Sequence, residues 1–204
     1  MRIKKTIATV YFMAQVLSKD LDQQLVIQGT WEHFKHIQQG FAETPGVKLS
    51  YYKGTIEILM PGLDHERFSC IINYLVSTFL LKQGVWFQMT GSVTQERKRE
   101  VSAQADESFC LGRLKPIPDL SIAVVFTSGG VNKLAKYRAL GVPEVWFWED
   151  GVLKLYHLRE EGYHQIDRSE LPGLDRLDIN LLQRCILIAE TDFVEAVQTF
   201  QQSI

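Results

Sequence analysis

The chain is short of cysteine, has no excess of charge of either sign and contains no long apolar run. Each shortage removes a class of protein. Its 204 residues include only 3 cysteines, Cys70, Cys110 and Cys185. They are odd in number, widely spaced and form no CxxC pair, which argues against a disulfide scaffold or zinc finger. Buried free thiols in a reducing cytoplasm are expected instead. Lys and Arg total 22 against 24 Asp and Glu, a net charge of −2. No global basic field draws the chain to nucleic acid, so any DNA binding has to come from a local patch. No stretch approaches the roughly 18 apolar residues of a transmembrane helix. Arg2, Lys4 and Lys5 ahead of the segment from Thr6 to Leu17 imitate the start of a signal peptide. However, Thr9, Tyr11 and Gln15 dilute the apolar run, and Ser18-Lys19-Asp20 is no cleavage region. A cytoplasmic protein without a membrane segment is therefore expected.

Several signatures are also missing. There is no G-x-S-x-G, P-loop, G-x-G-x-x-G or H-E-x-x-H, and no internal repeat. The usual nucleophilic, nucleotide-binding and zinc-hydrolase arrangements are thereby set aside.

What is present is an ordinary globular composition, 46% hydrophobic, 11% aromatic and 23% charged, at a length that suits one domain. Thr30 is placed to cap a helix with Trp31, Phe34 and Ile37 on one stripe. Residues 47–51 and 55–60 alternate around Lys53-Gly54 as a strand pair. Asp64 is expected to cap the clearest helix, where Phe68, Ile71, Ile72, Leu75, Val76, Phe79 and Leu80 keep helical spacing up to Gly84. A strand over 85–89, a polar and partly basic segment over 93–99 and one strand over 103–111 follow. Residues 120–126 are nearly continuous apolar sequence, the mark of a strand buried on both faces. A helix to Leu140, strands over 145–148, 152–158 and 163–166, and helices near 178–189 and 191–202 complete the chain. The order predicts an α/β mixed sheet flanked by helices, with an added C-terminal hairpin and helices. The expected organisation is an N-terminal appendage over 1–28, the main domain over 29–175, and C-terminal helices over 176–204 packed on the same domain.

The residues that could carry chemistry are acids at strand ends and a lysine. Asp106 lies on a strand, and Asp119 precedes the buried one. Glu57 alternates with Ile56 and Ile58, so it points away from them. Asp64 and Glu66 suit a helix N-terminus, whereas a protonated His65 there, or Lys133 early in its helix, runs against the dipole.

Taken together these residues resemble a family. Pro118-Asp119-Leu120-Ser121-Ile122-Ala123-Val124, Thr127-Ser128-Gly129-Gly130, Lys133-Leu134-Ala135-Lys136-Tyr137 and Gly141-Val142-Pro143-Glu144-Val145-Trp146 are similar to the core of the Uma-two restriction-endonuclease family, within the PD-(D/E)xK nuclease superfamily. Gly54-Thr55-Ile56-Glu57-Ile58 with Pro61 and His65 resembles its front segment, and Gln104-Ala105-Asp106-Glu107-Ser108-Phe109 its acidic strand. The resemblance implies a restriction-endonuclease-like fold and a DNA endonuclease that hydrolyses phosphodiester bonds with Mg²⁺ or Mn²⁺. It implies a metal held by Asp106 and Glu57, with Lys133 beside the scissile phosphate and His65 and Gln104 lining the site. Lys98, Arg99 and Arg113 are DNA-contact candidates by charge alone.

Two positions depart from the family pattern. Gln104 stands where a glutamate is usual, and Ala123 stands where the second metal carboxylate is expected. Asp119 cannot replace it, being four residues and about 13 Å along the same strand. A catalytically degraded relative that binds DNA or a protein partner is therefore the competing reading. Finally, consecutive Trp146, Phe147 and Trp148 put aromatics on both faces of a hairpin, so cover by a homodimer partner or by the C-terminal helices is expected.

Overall fold

The computed structural model describes residues 21–126 and 130–204; the expectations for the N-terminal basic and apolar segment and for Thr127-Ser128-Gly129 lie outside the described residues. The first sheet draws on β1 (Gln23–Gln28), β2 (Lys48–Tyr52), β3 (Thr55–Met60), β5 (Thr94–Arg97) and β6 (Val101–Gln104). Their order is β1-β3-β2-β6-β5, with all neighbours antiparallel. The second sheet holds β4 (Phe87–Met89), β7 (Glu107–Leu111), β8 (Leu120–Val125), β9 (Glu144–Glu149), β10 (Val152–Leu158) and β11 (Tyr163–Ile166). Its order is β11-β10-β9-β8-β7-β4; β8 and β9 run parallel and the other neighbours antiparallel. The helices are α1 (Trp31–Gly40), α2 (Leu63–Lys82), α3 (Gly130–Leu140), α4 (Ile179–Ile188) and α5 (Phe193–Ser203). The crossover between the parallel strands is α3, as parallel pairing requires.

Period-2 alternation decides what each strand of the first sheet buries. Leu49 and Tyr51 of β2 and Ile56 and Ile58 of β3 pack with Trp31 and Phe34 of α1 in one apolar cluster. Lys48, Ser50 and Glu57 therefore face the other way. In β8 the alternation divides two cores. Ile122 and Val124 pack on the side of α2, α4 and α5, whereas Ala123 and Val125 pack on the side of α3. The aromatic run follows the same rule. Trp146 and Trp148 join the α2–α4–α5 core and Phe147 joins the α3 core, and all three are buried. Helices of the same chain thus cover both faces of this hairpin, and the aromatics carry no argument for a second copy.

Four local expectations are corrected. The strand expected over 103–111 is two strands, because β6 belongs to the first sheet and β7 to the second. Gly62, not Asp64, is the N-cap of α2; Asp64 lies inside the first turn, where Arg67 pairs with it at 3.2 Å. The polar segment over 93–99 contains β5, an edge strand whose Gln95 is buried against Ser108 and Ser121. Of the three free thiols, Cys110 and Cys185 are buried and Cys70 is exposed. In addition, Gln23–Gln28, within the stretch read as an appendage, pairs with β3 along its whole length. Among the described residues no helix is long and apolar enough to cross a membrane.

Candidate functional site

Asp106 sits where the chain leaves the first sheet for the second. Its N–H donates to Ile122 O at 2.9 Å, and its Oδ2 accepts from Val124 N at 2.6 Å. The carboxylate thus serves a backbone donor of β8 just beyond the end of β7, whose first residue Glu107 is paired with Ile122. Its other oxygen, Oδ1, accepts from Lys48 Nζ and lies 2.9 Å from His65 Nε2, an ionic contact off the ideal hydrogen-bond direction. His65 Nδ1 is 2.8 Å from Asp22 Oδ2, and Asp22 Oδ1 accepts from Gly62 N at 2.8 Å. A fully buried imidazole is therefore held between two carboxylates. Burial works against its charge, but Asp106 and Asp22 reverse that effect, and its pKa lies above the ordinary value. Burial likewise pushes the Asp106 carboxyl up, and His65 and Lys48 more than offset it, so its pKa is lowered.

A second ion pair lies across the cleft. Glu57 Oε2 accepts from Lys136 Nζ and from Ser50 Oγ, the latter at 3.1 Å, and Lys136 also donates to Ser50 Oγ at 2.8 Å. The cross-strand pairing of Ser50 with Glu57 sets this triangle. Burial raises the Glu57 pKa, and Lys136 brings it below the usual value. Lys133, one turn earlier on α3, makes no hydrogen bond or ion pair with a described residue. Burial and the neighbouring Lys136 lower its pKa.

These groups line one cavity of about 60 Å³, open at one side and large enough for a few waters. Glu57, Gln104, Asp106 and Lys133 share its wall with Ala123, and His65 stands behind Asp106. The five site residues expected from the sequence are thus brought together. Lys98, Arg99 and Arg113 are not. All three are exposed; Lys98 and Arg99 form the turn at the far end of the β5–β6 hairpin from Gln104, and Arg113 lies beyond the end of β7 remote from Asp106. Asp119 is also elsewhere, bonded to Leu111 N and Lys115. Three important residues escaped the sequence: Lys48, Lys136 and Asp22. Lys48 and Ser50 share the alternation that places Glu57, and Lys136 follows Lys133 by a helical i+3 step, so two of the three had a signal. Asp22 had none.

The donor set does not fit a divalent cation as it stands. Mg²⁺ needs several oxygens in near-octahedral array at about 2.0–2.1 Å. Both oxygens of Asp106 are engaged, and Oε2 of Glu57 carries Lys136 and Ser50. Gln104 Oε1 accepts from Leu49 N at 2.8 Å, and its amide nitrogen donates to Thr94 Oγ1 at 3.0 Å. Ala123 offers no donor. Among the described residues no group of three or more His, Cys, Asp or Glu side chains is arranged to hold a metal.

Two sheets joined at an acid, a parallel strand pair spanned by a helix and a cleft of acids and lysines define a mixed α/β protein of the restriction-endonuclease-like class. The chain belongs to the Uma2 family: its family model, described as "putative restriction endonuclease", matches residues 31–187. It is similar in fold to the crystal structure of a "putative nuclease belonging to DUF820" from Anabaena variabilis, with a TM-score of 0.53 and 14% identity over 77% of this chain and 98% of that one. No curated protein matches the chain.

Proposed function

We propose that this chain is a nuclease-family protein that holds the phosphodiester backbone of DNA at the mouth of the cleft without hydrolysing it. The observation that carries this reading is the charge pattern. Lys48 and Lys136 are spent on Asp106 and Glu57, His65 is held between acids, and Lys133 lines the cavity with no ion pair to a described residue. An ammonium at a concave site that is not tied up in an ion pair is a ready contact for a phosphate. Hydrolysis is a different demand, since a loosely held phosphate still needs an activated water. Ala123 brings no carboxylate to the cleft, and both oxygens of Asp106 are already engaged.

The second reading is a Mg²⁺- or Mn²⁺-dependent endonuclease, with Asp106 and Glu57 as ligands and Lys133 on the scissile phosphate. It is favoured by the convergence of Glu57, Gln104, Asp106 and Lys133 on one cleft, with His65 behind Asp106. A homodimer, in which two sites cut two strands, belongs to this reading alone. Fluorescence anisotropy with a labelled duplex, run against salt concentration, separates the two when paired with plasmid cleavage in Mg²⁺ and Mn²⁺. Binding without cleavage is expected, with the salt slope falling by about 1 in Lys133→Ala. Metal-dependent cleavage abolished by Asp106→Ala would establish the second reading instead.

A further inference from the structure

We propose that Lys48 and Lys136 take the place of the divalent cation in this cleft, so that the site is complete without metal. The inference rests on the preceding reading only for what the cleft binds; the absence of a metal requirement stands on the ion pairs themselves. Two ammonium groups carry the charge of one divalent ion, and they are distributed as that charge would be, one against each acid. Neither is a loose surface pair. The Lys48 side chain is 14% exposed and its partner Asp106 5%, and the Lys136 side chain is 9% exposed. Charges so far removed from water persist only when paired and further hydrogen-bonded, and Ser50 and Val124 N supply the additional bonds.

Ala123 fits the same scheme. It lies on the α3 side of β8 and lines the cavity with Lys133 and Lys136. A carboxylate there would complete a metal's ligand set and would also neutralise Lys133. With alanine, Asp106 and Glu57 are each met by a lysine, and Lys133 makes no ion pair with a described residue. The cavity wall then carries Lys48, Lys133 and Lys136 against Asp22, Glu57 and Asp106, so its charges balance without a metal. A cation entering this site has to displace Lys48 from a buried carboxylate and meets the repulsion of Lys133 and Lys136.

The test is Mn²⁺ binding to the full-length protein without DNA, read from the loss of the free Mn²⁺ electron paramagnetic resonance signal. The wild type is expected to bind no Mn²⁺ at up to millimolar concentrations. The double variant Lys48→Met with Ala123→Glu is expected to bind at least tenfold more tightly than wild type, and Lys136→Met with Ala123→Glu to gain affinity in the same direction. Circular dichroism identifies folded variants, and Lys48→Gln, which keeps a polar group beside Asp106, replaces Lys48→Met if that protein does not fold. Sub-millimolar Mn²⁺ binding by wild type, lost in Asp106→Asn, would overturn the proposal. So would folded lysine variants that gain nothing, because the ammonium groups would then not be what keeps a metal out. DNA binding is measured separately, with EDTA and with Mg²⁺. No DNA binding in either condition defeats the preceding reading and leaves the metal result standing, whereas binding that requires Mg²⁺ defeats the present inference.

Discussion

His65 Nε2 and Asp106 Oδ1 meet at 2.9 Å, buried, at the point where the polypeptide passes from one sheet to the other. The chemistry of the cleft and the joint between the sheets are therefore one feature. Removing the carboxylate strips Lys48 of its partner and His65 of one of its two, and frees Val124 N. Asp106→Ala is expected to lower stability by about 3–5 kcal/mol, the usual cost of leaving a buried charge uncompensated. Urea unfolding measures it. A loss below about 1 kcal/mol would mean that the ion pairs are not formed in solution.

The same contact sets a pH window. The pKa of His65 is raised above its ordinary 6.5, so its stabilising effect is complete below about pH 6.5 and is lost as the pH climbs through the raised value. Asp106 is shifted below its ordinary 3.8, so its effect is present above about pH 3.8 and is lost as the pH falls through the lowered value. Thermal stability should therefore be greatest between these limits, with His65→Gln flattening the alkaline side of the profile. Nitrogen-15 resonances of the His65 ring, followed against pH, should show it holding its second proton to higher pH than the exposed His164 does. A ring that loses this proton at a lower pH than His164 would contradict this account.

Ala123→Glu tests the missing carboxylate directly. Ala123 is buried. A glutamate there is desolvated and comes close to Asp106 and Glu57, which should lower the thermal midpoint of the metal-free protein by several degrees. It should also weaken DNA binding by pairing with Lys133, and raise metal affinity and any plasmid cleavage. Unchanged DNA affinity in a folded variant would show that Lys133 and position 123 do not share the cleft in solution.

Lys133 should be the unusual amine of the protein. Burial and Lys136 lower its pKa, leaving a larger neutral fraction near pH 8–9 than an ordinary lysine has. Competitive acylation followed by peptide mapping is expected to label Lys133 ahead of exposed lysines such as Lys98 once its lower exposure is allowed for. Protection by duplex DNA would tie that reactivity to the cleft. Labelling slower than Lys98 at every pH would show that the ammonium is retained.

Most of the secondary structure was legible because hydrophobic period and turn chemistry agree. The Thr30 cap, the β2–β3 hairpin and α2 all follow from such local signals. The break at Asp106 was not legible. Ala103 to Leu111 reads as a single strand, and nothing local says that Gln104 pairs with Thr94 while Glu107 pairs with Ile122. That division depends on partners distant in sequence. The site was legible in its acids and in Lys133, through resemblance, but its ion pairs were not. A lysine on an alternating strand looks like a solvated side chain until the element opposite is known. The same sequence signal that placed Glu57 in the cleft also placed Lys48 there, yet only the fold reveals which acid each lysine meets.

The position of Asp106 at the crossing has a consequence for how relatives of this chain are judged. An acid that also fastens two sheets is under architectural as well as chemical constraint. Selection for folding alone would retain it after catalysis had disappeared, and its presence in a sequence is then no witness to activity. Position 123, which supports neither sheet through its side-chain polarity, is the more telling place to look.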